Sequence, residues 1–124
     1  MAKVLLIEDD DSSRDYILQI LRLDEHETVR AADGRQGLAL MRQSRPDLVI
    51  CDVIMPHLGG YAVLETMRAD TQLSGVPVLL FSGAMTQAGR EIGMQRGATE
   101  ILAKPFSVEQ MRGAVRRCLG QDGA

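Results

Sequence analysis

Five short apolar runs set the frame of this chain: VLLI (Val4 to Ile7), TVRAA (Thr28 to Ala32), DLVIC (Asp47 to Cys51), VLLF (Val78 to Phe81) and ILA (Ile101 to Ala103). Each is too short for a core helix and is bounded by turn residues, the pattern of a buried strand. Between them, apolar residues recur at helical spacing. Ile17, Ile20 and Leu21 form one stripe, and Val63, Leu64 and Met67 a second. Met85, Ala88 and Ile92 form a third, and Val108, Met111, Val115 and Cys118 a fourth. A weaker helix surrounds Leu38 and Met41, with Gly37 inside it costing up to about 1 kcal/mol against alanine. Five strands alternating with five helices imply an α/β fold, a parallel sheet covered on both faces.

Punctuation agrees with that frame. Asp11 or Ser12 can cap the first helix, and Ser107 with Gln110 makes a capping-box pattern for the last. Asp33-Gly34, Gly59-Gly60 and Gly97 mark connections. The 124 residues are one domain's worth, so residues 1–124 read as a single domain without repeat or linker. Only the tail from Gly120 to Ala124 reads as frayed.

Composition removes several function classes. No apolar run approaches the roughly 20 residues that cross a bilayer. MAKVLLIEDDD turns acidic too early for a signal peptide, so a cytoplasmic protein with no membrane partner is expected. Cys51 and Cys118 are too few and too far apart for a disulfide framework or a zinc site. Net charge is −3, with no basic stripe interleaved with aromatics, which argues against direct nucleic-acid binding.

The polar residues then collect in one place. Glu8 and Asp9 follow the first strand, Asp52 ends the third, Ser82 ends the fourth and Lys104 follows the fifth. Open parallel sheets bind ligands at such carboxyl ends, at a topological switch point. If the strand order is 2-1-3-4-5, the first and third strands are neighbours and their carboxylates converge. At an effective dielectric near 20, a like-charged pair about 4 Å apart costs roughly 4 kcal/mol, which a bound cation offsets. Oxygen donors without His or Cys suit a hard ion, magnesium or manganese. A carboxylate can accept a phosphoryl group as an acyl phosphate. Lys104, the metal and the Ser82 hydroxyl would hold that group, because phosphoryl transfer is mostly positioning and charge neutralisation. Taken singly, an acidic loop is solvated or favours a helix start, a Lys-Pro is a turn and a Ser after a strand is a cap. Their conjunction carries the functional reading.

At these residues the chain resembles the response-regulator receiver family. The matching pieces are LLIEDD (Leu5 to Asp10), Asp33-Gly34, PDLVICDVIMPHLGG (Pro46 to Gly60), PVLLFSGA (Pro77 to Ala84) and GATEILAKPF (Gly97 to Phe106). The resemblance runs from Lys3 to about Leu119 and implies a flavodoxin-like, doubly wound sheet of order 2-1-3-4-5. It implies that Asp52 is the phosphoacceptor and that Glu8, Asp9, Asp52 and the backbone carbonyl of Ile54 hold magnesium or manganese. Ser82 takes the switch position, Lys104 binds the phosphoryl group, and Lys104–Pro105 is cis. The implied donor is a sensor histidine kinase or a histidine phosphotransfer protein. The implied target is a downstream protein or effector domain, with the chain a monomer or a phosphorylation-dependent dimer. Such a domain is no enzyme toward external substrates; it catalyses only its own phosphorylation and dephosphorylation.

Two positions depart from the family pattern. The family couples its hydroxyl switch to an aromatic on strand five, where this chain has Ile101, a residue with no ring and stiff χ1 preferences. Output through the loop after Ser82, made permissive by Gly83, becomes the alternative route. Glu25 stands near where the family often has a glycine closing the first helix.

Other classes fit less well. A haloacid dehalogenase-type hydrolase wants a second Asp two residues after the nucleophile, where this chain has Ile54. A flavin carrier needs a hydroxyl- and glycine-rich phosphate loop where this chain has acids. A pseudo-receiver that binds partners without phosphorylation is opposed by Asp9, Asp52, Ser82 and Lys104. His57 reads as a solvated turn residue beside a better acceptor. Most of the seven methionines read as core, with Met55 the exception, and Arg112, Arg116 and Arg117 read as a solvated face.

Overall fold

The computed structural model describes residues 2–121, so the expected frayed tail beyond Gln121 lies outside the described residues. In chain order the elements are β1 (Lys3–Ile7), α1 (Asp11–Leu23), β2 (Glu27–Ala31), α2 (Gly34–Gln43), β3 (Leu48–Asp52), α3 (Gly60–Ala69), β4 (Val78–Ser82), α4 (Gln87–Gln95), β5 (Glu100–Ala103) and α5 (Val108–Cys118). All strands pair in parallel, in the order β2-β1-β3-β4-β5.

Strand side chains alternate between faces, and the two halves of the core follow from that alternation. Val4 and Leu6 of β1 pack with Ile17 and Leu21 of α1 and Met111 and Val115 of α5. Leu5 and Ile7, one residue out of phase, pack with Met41 of α2 and with Leu64 and Met67 of α3. Every residue of β3 and β4 is buried, as central parallel strands require. Burying each such large aliphatic side chain stabilises the fold by about 1.5–3 kcal/mol.

Caps fix where the helices start. Asp10, rather than Asp11 or Ser12, is the N-cap of α1, and its carboxylate accepts from Ser13 N at 2.8 Å. The extended backbone of Asp10 makes it the last non-helical residue, which leaves Asp11 inside the first turn. Asp33 caps α2, Thr86 caps α4, and the Ser107–Gln110 capping box at α5 is complete. Glu25, after α1, takes a left-handed φ of 58°, the conformation for which glycine is the usual residue.

The expected α4 stripe does not form. Met85 precedes the helix, Ala88 and Ile92 are exposed, and Gly93 is the helix's buried residue. A Cβ at Gly93 would lie 2.7 Å from Ile101 Cδ1, so the helix packs by glycine rather than by side chains. Met94 is exposed as well, while Met41, Met67 and Met111 are core as expected. The α5 arginines are not simply solvated: Arg112 grips Asp24 with bonds of 3.0 and 2.7 Å, and Arg117 reaches Glu100 at 2.9 Å. Among the described residues, no helix is long and apolar enough to cross a membrane.

Candidate functional site

The strand register builds the site. Ile7 pairs with Cys51, which sets Glu8 beside Asp52 at the next step along β1 and β3. Asp52 pairs with Phe81 and Ser82 with Ala103, which places Ser82 and Lys104 on the same rim. Carboxylate oxygens of Glu8, Asp9 and Asp52 all lie within 4.8 Å of one another. The Lys104 ammonium is 3.7 Å from Glu8 Oε2 and 3.8 Å from Asp52 Oδ2. All five side chains or their reactive ends therefore sit at one end of the sheet, as the 2-1-3-4-5 order requires.

Their environments differ. Glu8 is only 1% exposed; its Oε1 accepts from Asp10 N at 3.0 Å, and its Oε2 has no hydrogen-bond partner. Burial pushes the Glu8 carboxyl up to about 7. The Asp10 N–H opposes that shift, the neighbouring Asp52 reinforces it, and Lys104 pulls it back. Asp9 is exposed, at the mouth of the cluster. Asp52 is buried, with Oδ1 accepting from Ile54 N at 3.1 Å. Ser82 is also buried, and its hydroxyl accepts from Ala84 N at 3.1 Å, which ties Ser82 to the loop that leads into α4.

A buried carboxylate oxygen without a donor, beside two further carboxylates, is costly as it stands. The donor set fits a divalent hard cation, with oxygen ligands and open space at the Asp9 side. The nearby thiol adds nothing to it, because burial holds Cys51 far above the usual thiol range.

With this geometry in place, comparison with known proteins places the chain. The family model of the response regulator receiver domain matches residues 4–116. The chain belongs to that family. RpaA of Synechocystis sp., a DNA-binding dual master transcriptional regulator, is 33% identical over 119 residues, 96% of this chain and 49% of RpaA. PilH of Pseudomonas aeruginosa is 29% identical over 111 residues, 90% of this chain and 92% of PilH. The structure of the chemotaxis protein CheY4 of Vibrio cholerae matches with a TM-score of 0.90 and 34% identity, covering 96% of this chain and 99% of that one. This receiver chain thus spans about half the length of RpaA, and nearly all of PilH and CheY4.

The structure also places three further features marked in the sequence. His57 is an exposed turn residue with a φ of 68°. Ile101 is buried against Gly93 of α4. Lys104–Pro105 is cis.

Ser13, Tyr16 and Tyr61 carried no signal in the sequence. The Lys104 ammonium donates to Ser13 Oγ at 2.9 Å and lies 5.0 Å from the centre of the Phe81 ring. Tyr16 stacks near Phe106, and with Ser13 and Lys104 they border an open cavity of 420 Å³ beside the acids. Tyr61 of α3 donates to Gly89 O of α4 at 2.9 Å. A serine in a helix's first turn and a tyrosine on an amphipathic helix look ordinary until the fold brings them to a neighbour.

Proposed function

We propose that this receiver domain accepts a phosphoryl group on Asp52 from a phosphohistidine of a sensor kinase or phosphotransfer protein, in a magnesium- or manganese-dependent reaction, and thereby changes its partners. An Asp52 carboxylate oxygen forms the new P–O bond as the donor's P–N bond breaks, and the departing imidazole takes up a proton. Glu8, Asp9, Asp52 and the Ile54 backbone carbonyl would hold the cation, which supplies charge neutralisation for the phosphoryl oxygens when bound. Lys104 is within a short movement of the Asp52 carboxylate and stabilises the same charge from the opposite side. The buried Ser82 hydroxyl donates to a phosphoryl oxygen, and its tie to Ala84 N carries the change into the loop before α4. Hydrolysis returns Asp52 to a carboxylate, so the domain turns over only its own phosphoryl group.

The observation that carries this reading is the convergence of three carboxylates within 4.8 Å with an ammonium 3.8 Å from one of them. The partners proposed are the histidine donor and a downstream protein or effector domain, in the cytoplasm, with the domain a monomer or a phosphorylation-dependent dimer. A net charge of −3 without a basic stripe supports a role in which these residues do not themselves contact DNA. Incubation with acetyl phosphate and magnesium, followed by intact mass, tests the proposal. Wild type gains one phosphoryl group, and Asp52→Ala gains none. An unmodified wild type would favour an interaction module that works without phosphorylation.

A further inference from the structure

Lys104 forms a loose ion pair with Asp52 and with Glu8, in direct contact with neither. Its ammonium is 3.8 Å from Asp52 and 3.7 Å from Glu8, outside hydrogen-bonding distance of either carboxylate. Its ammonium donates instead to the Ser13 hydroxyl at 2.9 Å, across the site on α1. The Phe81 ring, 5.0 Å away, gives the ammonium a second favourable neighbour on the sheet side. A lysine is a compact point charge on a flexible stem, so without such anchors it settles on the nearest carboxylate. Ser13 is fixed for this task, because its own N–H is held by the Asp10 cap at 2.8 Å.

We infer that Ser13 is a positioning residue that keeps the Lys104 ammonium from closing into a direct hydrogen bond with Asp52, so that the Asp52 oxygens stay open to transfer and Lys104 stays available to an incoming phosphoryl oxygen. The inference rests on the reading of Asp52 as phosphoacceptor. Without the Ser13 hydroxyl, Lys104 closes onto Asp52 and must be displaced before transfer. The effect belongs to transfer and not to folding, since the Asp10 cap bonds the Ser13 backbone rather than its side chain.

The test compares wild type, Ser13→Ala, Ser13→Thr, Lys104→Met and the Ser13→Ala/Lys104→Met double variant, all with acetyl phosphate and magnesium. Loss of one hydrogen bond to an ammonium predicts an acceptor rate constant lowered about three- to ten-fold in Ser13→Ala. Ser13→Thr, which keeps the hydroxyl, returns it to within about two-fold. In the Lys104→Met background, Ser13→Ala has no further effect, because its target is gone. An equal loss from Ser13→Ala in both backgrounds overturns the inference while leaving Asp52 the acceptor. A second readout needs no phosphorylation: the NMR signals of the Lys104 ε-methylene, displaced by the Phe81 ring current, move in Ser13→Ala and hold in Ser13→Thr. Unchanged signals in Ser13→Ala overturn the inference whether or not wild type is phosphorylated. An unmodified wild type is instead the failure of the phosphoacceptor reading.

Discussion

Glu8 sits at the closed end of the site, 1% exposed, with one oxygen lacking a hydrogen bond and Asp52 near enough to raise its pKa. Its carboxyl, ordinarily at 4.5, stands at about 7 in the folded chain without metal. A raised acid holds its proton more tightly when folded than when unfolded. Its stabilising contribution is therefore complete below pH 4.5 and is lost as pH rises through about 7, up to about 3 kcal/mol in all. Asp24, lowered first by its hydrogen bonds from Arg112, works with the opposite sign and at lower pH, so it stays out of this window. Urea midpoints in chelator should thus fall between pH 5 and pH 7.5 in wild type and stay nearly level in Glu8→Gln. Asp52→Asn, which removes the neighbouring like charge, should raise the midpoint at pH 7.5. An unchanged or lowered midpoint in Asp52→Asn would refute the repulsion.

At the scale of the elements, glycine decides more than its helix propensity suggests. Gly37 counts as a weakness of α2 by propensity alone, where alanine would be better by about 1 kcal/mol. In the fold a Cβ there would lie 2.4 Å from Ile7 Cδ1 and 2.9 Å from Ile7 Cγ1, and Ile7 is fully buried in β1. Gly37→Ala should therefore destabilise the domain by about 1–3 kcal/mol, as overpacking does, read as a lower urea midpoint with an unchanged slope. A stabilised variant would show that α2 can retreat from the sheet. The same physics explains what the sequence hid. β1, β3 and β4 showed clearly because their apolar runs are buried on both faces, and α1, α3 and α5 showed because their core stripes are made of side chains. α4 did not, because it meets Ile101 and Tyr61 through Gly93 and Gly89, and periodicity counts only side chains that exist. The cap of α1 lies one or two residues before the expected Asp11 or Ser12, because Asp10, Asp11 and Ser12 are all good caps and only the backbone angle separates them.

For the whole molecule, one topological fact organises the site: β1 and β3 are neighbours, and their tips share a rim with those of β4 and β5. The acids, Ser82 and Lys104 were legible because strand ends can be counted along a chain and the order 2-1-3-4-5 sends them to one edge. Ser13 and Tyr61 were not, since each gains its meaning from a partner 91 or 28 residues away. The departure at Ile101 is legible in both: it has no ring to rotate, and it is buried against α4. What the carboxylate cluster predicts above all is a cation that binds the folded chain and not the unfolded one. Melting temperature in chelator and in excess magnesium measures this directly through linkage. Wild type should melt several degrees higher with magnesium, and Asp9→Ala should not respond; a wild type indifferent to magnesium, or an Asp9→Ala variant that still gains, would contradict the site.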